Sequence, residues 1–225
     1  YRELSGENKR EFRKVFAEIP KKVRPPEFQV GLLPEALWNS FLDLTNILKI
    51  QFWISEDHNL RLGAGVSPSG HGYIGFFEAS LDLNENQVHS ALKQAVEWLS
   101  AQGVTKIYGP LNINTWFSYR FRVDTHPLKF SWEPTNPPEY PRWWKNFGFR
   151  VCELYGSTGL NSIELFHSRN VSGIDKAKTL GYSFRSFTQE GFLAKDGSIL
   201  HSLSMAAFRD NFLFENIRLQ EFLQI

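Results

Sequence analysis

Apolar residues recur at helical spacing near the start of the chain, where Phe12, Val15, Phe16 and Ile19 share one face of residues 7–19. Pro20, Pro25 and Pro26 are expected to end that helix. Leu37, Phe41, Leu44 and Leu48 repeat the spacing, which predicts a second helix over residues 34–49 with Pro34 in its first turn. The period then shortens. Residues 50–54, 61–66 and 72–80 read as strands joined by the turns Glu56-Asp57-His58-Asn59 and Ser67-Pro68-Ser69-Gly70. Three strands with short turns predict an antiparallel meander.

Helical spacing returns at Val88, Leu92, Ala95, Val96 and Leu99, behind an Asn84/Gln87 capping box. Residues 104–108 read as a strand. Strand, helix and strand make a crossover unit, so this strand is expected to run parallel to residues 72–80. Residues 111–130 have no firm period and read as a long ordered loop. A short helix is predicted over residues 142–147, stopped by Gly148, with a strand over residues 149–155. Residues 156–170 read as a weakly patterned connection. Beyond them, a strand is predicted at 182–188, a helix at 198–211 and a further helical piece at 217–223. The expected organisation is one domain over residues 1–170. Residues 171–225 would be an extension or the start of a second unit.

Composition changes the picture in three places. Of 225 residues, 42% are hydrophobic and 22% charged, enough for a packed core. Aromatics reach 15%, with 20 Phe and 7 Trp, so the apolar surfaces are large and rigid. Net charge is +1, which gives no electrostatic footprint for nucleic acid. The run Lys21, Lys22, Arg24 reads as solvated surface. The single Cys152 excludes an internal disulfide and reads as a buried structural thiol. The six histidines show no metal-ligand spacing, and no apolar run is long enough to span a bilayer. No signal-peptide pattern is present, so cytoplasm is the expected compartment.

Certain landmarks stand in a fixed order within residues 72–155. They are Ile74-Gly75-Phe76-Phe77-Glu78, a helix, Gly109-Pro110-Leu111-Asn112, Asn136-Pro137-Pro138-Glu139-Tyr140 and Gly148-Phe149. This stretch resembles a group of bacterial proteins of the GNAT (N-acyltransferase-fold) superfamily. Ala207-Phe208-Arg209-Asp210-Asn211 is similar to the segment that opens a second GNAT-like unit in that group. The resemblance implies an α/β fold with a mixed sheet. It also implies an acyl-CoA or acyl-carrier-protein thioester as donor, no metal, and a small amine or peptide as acceptor. By the same resemblance Glu78 stands near the position of a general base. The donor would meet Phe76, Phe77, Gly109, Asn112 and Asn136. The partial second unit suggests a homodimer or paired halves.

Each candidate has a plainer reading beside it. Glu78 is also an ordinary strand-end carboxylate. Asn112, Asn114 and Asn136 each offer one donor and one acceptor face to a ligand, or simply scaffold a loop. Tyr119, Arg120 and Arg122 suit a clamp on an anion, or a surface ion pair. Tyr140 suits an acid, or packing against Pro137 and Pro138. Trp132, Trp143 and Trp144 suit a pocket lining, or core. Two departures favour a non-catalytic binding or scaffold domain. The usual glycine-rich phosphate turn is replaced by Leu81-Asp82-Leu83-Asn84-Glu85-Asn86-Gln87, whose acids repel phosphate. The usual tyrosine four residues before the Gly-Phe pair is replaced by Trp144, which is no proton donor for that step.

Overall fold

A computed structural model describes residues 1–3, 9–29, 49–124, 133–159 and 162–223. The helix expected over residues 34–49 lies outside the described residues, as do Trp132 and the end of the long loop. The chain forms two compact units. The first comprises Tyr1–Arg150 with Arg209–Asn216, and the second Val151–Phe208 with Ile217–Ile225. These units do not coincide with the boundary expected after residue 170.

The first unit is a mixed α/β fold around a five-stranded sheet in the order β1-β2-β3-β4-β5. The strands are β1 (Arg2–Glu3), β2 (Ile50–Ile54), β3 (Leu60–Val66), β4 (Gly72–Ala79) and β5 (Ile107–Tyr108). The meander β2-β3-β4 is antiparallel as expected, and β5 pairs parallel to β4 at Gly72 and Tyr73. Between them runs α2 (Glu85–Ala101), with the capping box of Asn84 and Gln87 in place. Its stripe Val88, Leu92, Ala95 and Leu99 is fully buried. After the long loop comes α3 (Glu139–Phe147). Meander, helix, parallel strand, loop and short helix follow in the order that the GNAT resemblance implies.

The sheet separates two apolar layers. On one side α2 and α3 pack over Leu60, Leu62, Ile74 and Phe77. On the other, α1 (Lys9–Val23) lays Phe12, Phe16, Ile19 and Val23 over Phe52, Tyr73 and Phe76. Successive strand residues face opposite ways, so Phe76 and Phe77 serve opposite layers. The bulge that sets both against Leu62 shifts the alternation, and puts Phe76 in the layer of Tyr73 and Phe77 in that of Ile74. Phe76 takes a φ of 54° there.

Pro20 does not end α1, which runs through it to Val23. A proline in a helix leaves the carbonyl four residues earlier without its N–H. Here that carbonyl belongs to Phe16, and the Arg61 guanidinium from β3 donates to it. The helix therefore continues because a tertiary donor replaces the missing one.

The second unit differs from expectation. Residues 149–155 and 182–188 form no strand, and residues 151–159 are irregular and exposed. The connection expected over residues 156–170 instead enters a helix, α4 (Ile163–Thr179), whose N-cap Ser162 accepts from Leu165 N. Gln189–Gly191 is helical and Phe192–Asp196 a π-helical turn, and both lead into α5 (Gly197–Phe208). Only Leu219–Phe222 of the last expected piece is helical (α6). Cys152 is exposed, not buried, because no strand carries it into a core.

Candidate functional site

β4 and β5 pair for only two residues and then part. The edge of β4 is passed along to other groups. Leu111 N donates to Ile74 O at 2.9 Å. Phe76 N donates to Asn112 Oδ1 at 2.6 Å. Tyr140 Oη then accepts from Ala79 N at 2.9 Å and donates to Ala79 O at 2.8 Å. Two side chains thus replace a neighbouring strand. The approach is close: a Cβ on Gly75 would run into the Leu111 carbonyl, so glycine is required there.

Glu78 lies beside this edge, directly across from Arg61 on β3. The sequence places Arg24 one residue past α1, where it turns inward rather than onto the surface. It meets Glu78 with two parallel hydrogen bonds, Nε to Oε2 at 2.6 Å and Nη2 to Oε1 at 2.7 Å. Its Nη1 donates to Phe28 O at 3.0 Å and Thr135 O at 2.7 Å. Arg61 Nη2 stands 3.8 Å from Glu78 Oε1, and its guanidinium lies 4.5 Å over the Phe16 ring. Burial lowers the Arg61 guanidinium to about 9, still cationic at neutral pH. Tyr140 Oη is 3.4 Å from Glu78 Oε2. Burial first, and the negative charge of Glu78 second, push the Tyr140 phenol well above its ordinary range. The carboxylate and the phenol named from sequence are therefore neighbours, inside a network that joins α1, β3, β4, α3 and Thr135.

The other named residues divide clearly. Asn112 caps Phe76 N as described. Asn136 accepts from Arg122 N at 2.8 Å and donates to Pro137 O at 3.0 Å. Asn114 accepts from Trp116 N at 3.0 Å. All three therefore hold backbone in place. Leu111 bridges Tyr119, and Arg120 lies 4.6 Å over the Tyr119 ring with a φ of 61°. Arg122 pairs with exposed Asp124 at 2.7 Å. Gly109, Phe77 and Trp144 meet where the strands part, and Phe77 and Trp144 contact edge-on at 5.5 Å. Trp143 and Trp144 are core.

At the N-terminus of α2, where the GNAT resemblance implies a phosphate turn, the capping box uses the helix's own donors. Asn84 Oδ1 accepts from Gln87 N at 3.1 Å, and Gln87 Oε1 from Asn84 N at 3.0 Å. Among the described residues no group of His, Cys, Asp and Glu is placed to hold a metal ion, and no helix is long and apolar enough to cross a membrane. Sequence reasoning missed Arg24 and Arg61 as partners of Glu78. The one available signal was Arg61 itself, a charge set between Leu60 and Leu62 in an apolar strand.

No protein-family model matches the chain, and no curated protein matches it. Among solved structures, it is similar to a predicted acetyltransferase from Clostridium acetobutylicum, crystallised with acetyl-CoA. Identity is 13% over 71% of this chain and 94% of that one, with a TM-score of 0.41. A likeness this distant leaves the fold resting on the strand order itself.

Proposed function

We propose that the first unit is a GNAT-type N-acyltransferase module that receives an acyl thioester, from CoA or an acyl carrier protein, where β4 and β5 part. The observation that carries this reading is the β4 bulge at Phe76 and Phe77, past the last β4–β5 pair at Tyr73 and Tyr108, with Glu78 next along the strand. The acceptor is a small amine or a peptide amine. Its nitrogen attacks the thioester carbonyl, Glu78 takes the proton released, and the thiolate departs with a proton returned by Tyr140, which recovers one from Glu78 beside it at 3.4 Å. The capped, acidic start of α2 favours a donor held through its acyl and pantetheine parts rather than its pyrophosphate.

A second reading is a module that binds without transferring. The bidentate grip of Arg24 on Glu78 favours it, because both carboxylate oxygens are already engaged. Thermal unfolding with acetyl-CoA, long-chain acyl-CoA and acyl carrier protein separates binding from none. A ligand at a hundred times its Kd adds about 2.7 kcal/mol. Thiol release on adding an amine then separates transfer from binding, with Cys152→Ser used to remove the exposed protein thiol. Transfer abolished in Glu78→Gln with donor binding kept supports the first reading. Binding without thiol release supports the second, and no shift with any thioester sinks both.

A further inference from the structure

Helix α4 buries almost nothing. Every side chain described along it is exposed except that of Ala177, which is half-buried. Ile163, Phe166 and Ile174 are 73%, 51% and 43% exposed. A helix of this length with Ser172 and Gly173 near its middle is marginal in water by itself. It gains stability by packing, so its apolar side calls for a partner.

The residues on that side define the partner. Ile163, Phe166, Asn170, Ile174 and Ala177 share one face, at steps of three, four, four and three. The steps read the same from either end. A second copy laid antiparallel therefore sets Ile163 against its Ala177, and Phe166 against its Ile174. Asn170 falls on the two-fold axis and faces itself. Asn170 Nδ2 donates to Phe166 O at 2.7 Å through one hydrogen. The amide has a second N–H and an acceptor oxygen, the two groups that such residues exchange across a two-fold. One polar residue in an apolar seam fixes its register. The charges agree with this pairing. Glu164, His167, Val171, Asp175 and Lys178 repeat the same steps about 100° round the helix. In an antiparallel pair like flanks meet, so Glu164 lies opposite Lys178 of the second copy. His167 lies opposite Asp175, and Val171 against itself. We propose that α4 is the contact helix of a homodimer, in which two copies pair antiparallel about Asn170. This assignment is independent of the acyl-transfer reading above.

The test is sedimentation velocity on the full chain, followed by cysteine crosslinking. Wild type is expected to be largely dimeric at about 100 µM, the weak association suited to a small interface. Phe166→Glu puts a charge into the seam and is expected to weaken the dimer tenfold or more. The orientation is read in a Cys152→Ser background, where an introduced cysteine is the one thiol. Asn170→Cys is expected to form a disulfide dimer under mild oxidation, since the two copies of residue 170 meet. Ile163→Cys is expected to form none, since the two copies of residue 163 lie about 21 Å apart along the helix axis. A chain that stays monomeric overturns the proposal and leaves this face to a different partner. A dimer unaffected by Phe166→Glu overturns it by placing the contact elsewhere. Equal crosslinking of both cysteine variants shows a parallel pair and overturns it as well.

Discussion

The two units solve the same electrostatic problem in different settings. In the first, Arg24 grips Glu78 in two parallel hydrogen bonds, and both side chains are withdrawn from water at 13% and 5% exposure. In the second, Arg185 reaches Asp196 the same way, through Nη1 to Oδ2 at 2.7 Å and Nη2 to Oδ1, but Arg185 is 65% exposed. Geometry alone would rank the pairs as equals. Solvent separates the arginines and not the carboxylates, since Asp196 and Glu78 are both 5% exposed: water around Arg185 screens its pair, whereas Arg24 is withdrawn from it. The apolar residues tell the same story. Phe12, Phe16 and Phe52 of the first unit are fully buried, while Val151, Leu154, Ile163 and Tyr182 of the second are 66–76% exposed.

The sharpest way to break this comparison is to remove each arginine. Arg24→Leu leaves Glu78 buried and is expected to cost about 3–5 kcal/mol, read as a lower urea midpoint. Arg24→Leu/Glu78→Leu should recover only part of that loss, since Arg61, 3% exposed, then loses the carboxylate beside it. Arg185→Leu, which removes an exposed and water-screened cation from Asp196, should lower the midpoint less. An equal loss from both single variants would show that burial does not distinguish the pairs.

Glycines give a second, smaller contrast. Gly75→Ala drives a Cβ into the Leu111 carbonyl, and overpacking of this kind costs about 1–3 kcal/mol. Gly156 in the second unit has nothing within 4 Å of its Cβ position. Gly156→Ala is expected to be neutral in the same unfolding assay. Native-state hydrogen exchange should sharpen this further. Amides of β3 and β4 should exchange only on global unfolding, and those of residues 151–156 at nearly the rate of free peptide.

How much of this was legible in the sequence follows from where each signal lies. The meander and α2 carried local instructions: short apolar runs, turn residues and a capping box. All are present as read. The passage of α1 through Pro20 was not legible, because the donor that rescues Phe16 O comes from Arg61 on another strand. Residues 149–155 have the apolar content of a strand, but a strand needs a neighbour, and none is paired with them among the described residues. In the site, Glu78 and Tyr140 could be singled out from their landmarks. The grip of Arg24 could not, since its position just past a helix reads as surface until the helix is docked.

The smallest expected effect concerns the segment Arg209–Asn216, which belongs to the first unit although far along the chain. Ser69 Oγ donates to Glu215 Oε1 at 2.6 Å, and a hydroxyl has one hydrogen. The 2.8 Å contact between Ser69 Oγ and His71 Nδ1 is therefore donated by the imidazole. That leaves His71 Nε2 as a bare acceptor, sealed from solvent and without a partner among the described residues. Protonating it would bury an N–H that bonds nothing. Burial accordingly holds the His71 pKa below its ordinary value, with Glu215 pulling partly the other way. The unfolded chain then takes up the proton first, at about pH 6.5. Stability is expected to be full above that pH and to decline as pH falls from there to the lower folded value, where the decline stops. Thermal unfolding between pH 8 and pH 5 reads this directly. His71→Asn keeps a donor towards Ser69 and removes the titration, so its profile should be flatter over that window. An unchanged profile in His71→Asn would assign the decline to another group.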